Sequence, residues 1–249
     1  LSANFPLVFG HRGAKGLAQE NSLAGFAQAI ELGVDEVEFD THLSKDGTVF
    51  VIHDAALART TTGRGRIGTK STAEIGSLTL KHGGGKVPTL DEVLDLLAPS
   101  SLLFNIEIKT ATRRRSYPGI EAAIAGSLRS RGLLQRSIIS SFDWSGLSAF
   151  LAEARPHLTL GLLNASMLRR IGGPGEGLRR ARKAGLNGIC IPVTSLEAAQ
   201  NRPDGVIWVY ASGEPAMIAR ALSAGIAAII TDRPDIALSL REASLPAPR

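Results

Sequence analysis

The sequence predicts an α/β protein, a (β/α)8 barrel forming a single domain over residues 1–249 with a small insertion, and three observations predict it. The 249 residues and 26.2 kDa of the chain match the roughly 250 residues typical of such a barrel. Short β-branched runs alternate with helix-period stretches, the rhythm of a parallel sheet. Polar residues collect at the ends of several of those runs, where a barrel of this kind carries its chemistry.

Taken in order, the strand-like runs are residues 7–9, 36–40, 49–52, 102–108, 137–140, 159–163, 188–191, 206–210 and 227–230. The first ends in Gly10-His11-Arg12-Gly13, where flanking glycines allow a sharp turn. Leu23, Phe26, Ala27 and Ile30 then mark one helix face, and Gly33 is placed to end that helix. The second run alternates acids with bulky apolar residues, Glu36-Val37-Glu38-Phe39-Asp40. Residues 41–48 carry an Asp46-Gly47 turn signal and are too short for a helical crossover. Since the runs outnumber the strands of the barrel by one, an irregularity is expected near the second strand. The third run leads into His53-Asp54, and residues 55–86, rich in Thr, Gly, Lys and Arg, follow neither the strand nor the helix period. They are expected to form an inserted subdomain or lid beside the barrel mouth. Thr89-Leu90-Asp91-Glu92 has the form of a capping box, with Val93, Leu94 and Leu97 as the buried stripe behind it. Later helices are expected at 144–154, 176–184, 215–224 and 234–243.

Composition excludes several function classes. Hydrophobic residues make up 44% and charged ones 20% of the chain, with no run of the ~18 apolar residues that a membrane span needs. Stable membrane insertion is therefore not expected. The chain opens Leu1-Ser2-Ala3-Asn4 without a basic-then-apolar secretory pattern, so a cytoplasmic location is expected. The single cysteine, Cys190, leaves no internal disulfide and reads as a buried apolar side chain. A net charge of +5 with pI near 9.7 would suit a nucleic-acid partner, but aromatics are only 5% and the bases are dispersed. Anionic small molecules explain the charge as well. Loops of the P-loop type, C-x-x-C pairs and H-E-x-x-H are absent, and Gly172-Gly173-Pro174-Gly175 lacks the setting of a dinucleotide fingerprint.

The chemistry resides in the alternation. Side chains on a strand point to opposite faces in turn, so Glu38 shares a face with Asp40. In Asn105-Ile106-Glu107-Ile108-Lys109, Glu107 shares one with Lys109. Three carboxylates aimed inward need either raised pKa values or a cation between them. The all-oxygen donor set points to one divalent cation, Mg²⁺ or Ca²⁺, rather than Zn²⁺. His11 and His53 close two strands and are suited to divide general-base and general-acid work, because imidazole titrates near neutrality. With Arg12 and Lys109 as cations, the set describes a site that binds and cleaves a phosphate diester. His42 falls on the face of Glu38 and Asp40 and is added as a candidate.

These residues resemble the glycerophosphodiester phosphodiesterase family, in its short bacterial cytoplasmic form. The resemblance runs through His11-Arg12-Gly13, Glu20-Asn21-Ser22, Glu38-Phe39-Asp40, Lys45-Asp46-Gly47, His53-Asp54 and Arg59-Thr60-Thr61. It continues through Asn105 to Lys109, Ser140-Ser141-Phe142 and Ile230-Thr231-Asp232. It implies a distorted TIM barrel with an inserted subdomain. It also implies hydrolysis of glycerophosphocholine or glycerophosphoethanolamine to glycerol 3-phosphate and an alcohol. By resemblance His11 and His53 are the acid–base pair, Glu38, Asp40 and Glu107 the metal ligands, and Arg12 and Lys109 the phosphate binders. Glu20 is carried as a second metal-site candidate, with helix capping as its structural role. Where relatives read W-T-V-N, this chain has Tyr210-Ala211-Ser212-Gly213; Tyr210 keeps an aromatic for substrate contact, but the amide is gone. Arg113 to Arg115 would favour a more acidic headgroup. The expected partner is a small-molecule phosphodiester, met by a monomer or homodimer. The rival readings are a phospholipase-like enzyme acting on intact lipids, which needs an exposed apolar rim, and a non-catalytic phosphate-ester binding protein.

Overall fold

A computed structural model describes residues 6–83, 85–112, 115–197 and 206–244. The strands are β1 (Leu7–His11), β2 (Glu36–Leu43), β3 (Val49–Val51), β4 (Leu103–Ile108), β5 (Thr110–Thr112), β6 (Arg115–Ser116), β7 (Ser137–Ser141), β8 (Leu158–Leu162), β9 (Gly188–Pro192), β10 (Val206–Ser212) and β11 (Ala228–Thr231). The α-helices are α1 (Leu23–Leu32), α2 (Thr72–Gly76), α3 (Leu90–Leu97), α4 (Ile120–Ser130), α5 (Trp144–Glu153), α6 (Ala165–Ile171), α7 (Pro174–Lys183), α8 (Pro215–Leu222) and α9 (Pro234–Ala243).

The main sheet runs β1-β11-β10-β9-β8-β7-β4-β2, and β1 also pairs in parallel with β2, which closes an eight-stranded barrel. The surplus strand is β3. It pairs antiparallel with β2, Thr41 opposite Val51 and Leu43 opposite Val49, and lies outside the closed ring. The third run is thus not a barrel strand, because the connection from Ser44 to Thr48 folds back on itself. Ser44 N donates to Thr48 O at 2.9 Å, and Gly47 takes φ 93°, which glycine adopts without steric cost. His53 therefore reaches the mouth on a descending chain, with Ile52 N bonded to Asp40 O at 3.0 Å.

Two buried layers follow from the strand period. Val37, Phe39, Phe104, Ile106 and Ile139 face outward and pack with Phe26, Leu94, Ile124 and Phe150 of the surrounding helices. Their alternates Phe9, Ile138, Leu160, Leu162, Cys190, Trp208, Ala228 and Ile230 fill the lumen. Phe9 meets Trp208 with ring centroids 4.5 Å apart, so the barrel is plugged by side chains. A third cluster, Phe50, Ile52, Leu57, Ile67, Ile75, Leu80 and Val87, packs under the segment between β3 and α3. That segment contains α2 and a 3-10 turn at Ile67–Thr69, short elements whose few residues cannot display a helix period.

The capping box at α3 is present, with Thr89 accepting from Glu92 N and Glu92 accepting from Thr89 N. α4 was not signalled by the sequence pattern: Gly119 caps it without a side-chain bond, so the usual Ser, Thr, Asp or Asn marker is missing. α7 begins at Pro174, N1 of the helix, rather than at 176, and it follows α6 instead of a strand. Among the described residues, no helix is long and apolar enough to cross a membrane.

Candidate active site

The neighbouring strands β2 and β4 bring the acids together. Glu38, Asp40 and Glu107 each place a carboxylate oxygen within 4.8 Å of the others', and their exposures are 4%, 1% and 9%. Parallel pairing sets Glu38 beside Asn105 and Asp40 beside Glu107, which is why alternation on two neighbouring strands builds one cluster.

Two cations and an amide hold this cluster. Lys109 Nζ lies 2.8 Å from Glu107 Oε1 and 3.0 Å from Asp40 Oδ1. Arg12 Nε lies 3.2 Å from Asp40 Oδ2, and Asn21 Nδ2 donates to the same oxygen at 2.9 Å. Arg12 and Asn21 both take φ 52°, the left-handed region that L residues seldom enter, and Asn21 N donates to Arg12 O at 3.0 Å. Glycines make that turn fit. A Cβ at Gly10 would overlap the carbonyl oxygen of Gly13, and Gly13 itself, at φ 85°, sits against the backbone of Gly25.

The electrostatics divide the acids. Burial, together with Asp40 and Glu107, pushes the Glu38 carboxyl well above its usual range. Burial also raises Glu107, although Lys109 opposes it. Burial would raise Asp40 too, but Lys109 and Arg12 outweigh it and hold this carboxyl below its usual range. Glu107 thus shares Lys109 with Asp40, and burial still dominates at Glu38 and Glu107.

Each histidine is oriented by a carboxylate. His11 Nδ1 bonds Asp232 Oδ1, and Lys15 Nζ holds the other oxygen of Asp232 at 2.9 Å. His11 Nε2 lies 3.8 Å from Glu38 Oε2. His53 Nδ1 bonds Asp54 Oδ1 at 2.6 Å, and Asp54 in turn receives Arg59 Nε. Burial lowers both imidazoles, outweighing their carboxylate partners. Arg59 also grips Glu20, with bonds of 2.9 and 2.7 Å, and Arg12 Nη1 reaches Glu20 at 3.0 Å. Glu20 is accordingly a bridge between two guanidinium groups and stands outside the acidic cluster. His42 has both ring nitrogens engaged, Nδ1 with Tyr117 Oη at 2.7 Å and Nε2 with the His53 carbonyl at 3.0 Å; burial lowers its pKa to about 4. Tyr210 edges the lumen core, and its hydroxyl donates to Leu163 O at 3.4 Å. Arg113 and Arg114 lie outside the described residues, as do the side chains of Arg115, Ala211 and Ser212.

Asp54, Arg59, Asn21 and Asp232 complete the site, although sequence reasoning gave them no role. Asp232 was detectable as the polar residue directly after the last barrel strand, and the others as neighbours of the histidines and acids in the same motifs. The mouth opens into a cavity of about 410 Å³ lined by His42, His53, Asp54, Glu107, Lys109 and Phe142 among others. A broader groove of about 880 Å³ runs beside it between residues 15–24 and 80–92.

The donor set suits a hard divalent ion: all oxygen, buried and convergent, with burial raising the carboxyls of Glu38 and Glu107. Asn105, beside Glu38 in register, is buried with its side-chain amide nitrogen and oxygen both unpaired, so polar capacity remains at this layer.

A closed (β/α)8 barrel with acids, imidazoles and cations gathered at the carboxyl ends of its strands defines a barrel enzyme of the hydrolytic kind. The model of the glycerophosphoryl diester phosphodiesterase family matches residues 11–236. A glycerophosphodiester phosphodiesterase of Caldanaerobacter subterraneus subsp. tengcongensis is 33% identical over 241 residues, covering 94% of this chain and 97% of that protein. One from Bacillus altitudinis is 32% identical, covering 94% and 98%. The crystal structure of a provisionally named glycerophosphoryl diester phosphodiesterase from Agrobacterium tumefaciens superposes with a TM-score of 0.90 at 28% identity, covering 96% and 98%. The chain belongs to the glycerophosphoryl diester phosphodiesterase family and is an enzyme of that class.

Proposed function

We propose that the chain hydrolyses small glycerophosphodiesters, such as glycerophosphocholine or glycerophosphoethanolamine, to glycerol 3-phosphate and the free alcohol. In this reading it does so in the cytoplasm, with one divalent cation, Mg²⁺ or Ca²⁺, held by Glu38, Asp40 and Glu107. The observation that carries the proposal is the convergence of those three buried carboxylates within 4.8 Å, flanked by two carboxylate-oriented histidines. When bound, the cation would supply neutralising charge to the phosphoryl oxygens.

Arg12 and Lys109 would bind the same phosphoryl group, exchanging part of their hold on Asp40 and Glu107 for it. Asp232 and Asp54 each occupy Nδ1 of their histidine, which leaves Nε2 as the atom that takes or gives a proton. One imidazole would take the proton of the attacking oxygen and the other would protonate the departing alcohol. Attack by the glycerol 2-hydroxyl passes through a cyclic phosphate and attack by water does not, so phosphorus NMR of the turnover mixture distinguishes them. The segment 55–86, with its own apolar cluster, would act as a subdomain beside the mouth, tied to the barrel through Arg59 and Glu20.

The test is release of glycerol 3-phosphate from a panel of glycerophosphodiesters, with chelator and with each cation restored. Release abolished by chelator and recovered with Mg²⁺ or Ca²⁺ is expected; release that ignores chelator would overturn the metal assignment. One observation favours a second reading, action on intact lipids: the exposed large apolar side chains among the described residues, Leu17 and Leu23, both line the groove beside the mouth. Two side chains make a short rim, and comparing glycerophosphocholine with a diacyl lipid separates the two readings.

A further inference from the structure

At the amino-terminal end of the barrel, opposite the catalytic mouth, a cavity of about 540 Å³ opens between the starts of β1, β2, β4, β8 and β10. Its volume falls in the range of small-molecule sites. Leu7, Leu103, Leu158 and Trp208 give it an apolar wall, and the lumen core of Phe9, Ile138, Leu160 and Cys190 continues toward the catalytic end.

One charged-type residue breaks that wall. Glu36 lines the cavity, is 2% exposed, and its Oε2 has no hydrogen-bond partner. A buried carboxyl oxygen without a partner has given up its hydration with nothing in return, and the described lining offers it neither lysine nor arginine. Neighbouring Asp35 is engaged elsewhere, accepting from Val8 N and Arg241. Among the described lining residues, the basic-type one is His157.

Three features of the cavity suit a cation. Glu36 presents a carboxyl that burial pushes up to about 9, so an ammonium bound against its unpartnered oxygen would draw it toward the ionised form. The carboxyl end of α8, at Leu222 and Ser223, turns its partial negative charge toward the same space. Trp208 supplies an indole, whose face attracts cations. We propose that this cavity is a second binding site, for a small organic ammonium with an apolar body, whose N–H groups donate to Glu36 while the body packs on Trp208 and Leu222. The site is separate from the phosphodiester chemistry and stands whether or not that assignment holds.

Titration calorimetry of the full chain with benzylammonium, in the presence of Mg²⁺ to screen the acidic mouth, tests this. Saturable one-to-one binding is expected, with benzyl alcohol and benzoate at least about tenfold weaker, the loss expected for a charge-assisted bond. Glu36→Gln should weaken benzylammonium about tenfold or more. Leu222→Trp, which adds bulk to the cavity from another part of its lining, should abolish binding. Absence of saturable binding at millimolar benzylammonium, equal binding of benzyl alcohol, or unchanged affinity in a folded Glu36→Gln protein would each overturn the proposal. If Glu36→Gln does not fold, unchanged affinity in Leu222→Trp overturns it alone.

Discussion

Replacing His11 or His53 by alanine removes a ring whose Nδ1 is fixed by a carboxylate and whose Nε2 transfers the proton on the proposed function. Each substitution is expected to lower turnover about 10²-fold or more in a glycerol 3-phosphate release assay, with the circular dichroism spectrum unchanged; near-native turnover in both would overturn their assignment. Arg59 presents a subtler case, because it joins Asp54, and through it His53, to Glu20 and Arg12. As a positioning residue, Arg59→Ala is expected to reduce kcat more than it raises KM, and to shift the pH profile of kcat, since Asp54 loses the partner that holds its pKa down. Arg59→Lys should recover part of the loss. The period-two alternation of β2 and β4 made the three acids legible, because neighbouring parallel strands must bring same-facing residues side by side. Asp232 and Asn21 were not assigned roles, since each acts through another side chain: one turns His11, the other anchors Asp40 from a left-handed backbone position. No sequence period reports such a contact.

Among the elements, helix caps and turns give the sharpest expectations. Thr89→Ala removes the hydroxyl that accepts from Glu92 N at the start of α3, and should cost about 0.5–2 kcal/mol in a chemical denaturation curve. Asp46, in the β2–β3 turn, accepts from the Ser44 and Thr72 hydroxyls and from Thr72 N, which lowers its pKa from 3.8 to about 2. A carboxylate stabilised in the folded chain contributes above its unfolded pKa and stops contributing as pH falls through the folded one. The difference in melting temperature between the wild type and Asp46→Asn is therefore expected to be full above pH 3.8 and to close toward pH 2. The fold class and the barrel strands were readable because β-branched runs and capping signals are local. The direction of β3 was readable only as a surplus strand and a connection too short to cross over. α4 lacked a side-chain cap, and α2 lacked length, so neither announced itself.

For the molecule as a whole, closure of the ring determines which groups chemistry can reach. Cys190 lies in the lumen core with no exposure, and burial pushes its thiol up. A thiol reagent should label it only as fast as the barrel unfolds globally, with the rate rising in denaturant along the unfolding limb; rapid labelling in native buffer would mean that the barrel opens locally. The reversal of β3 has a different consequence. His11 rides on a rung of the ring and cannot move without disturbing its neighbours, whereas His53 hangs from a folded-back ribbon whose five-residue bend, Ser44 to Thr48, stands clear of all eight rungs. Lengthening or shortening that bend by one residue would turn the imidazole to the other side of the ribbon, while a change of two would restore its facing. On the proposed function, such a slip would reset one half of the proton-transfer pair and break the bond from Ile52 N to Asp40 O, while His11 and the three acids stay on the ring strands.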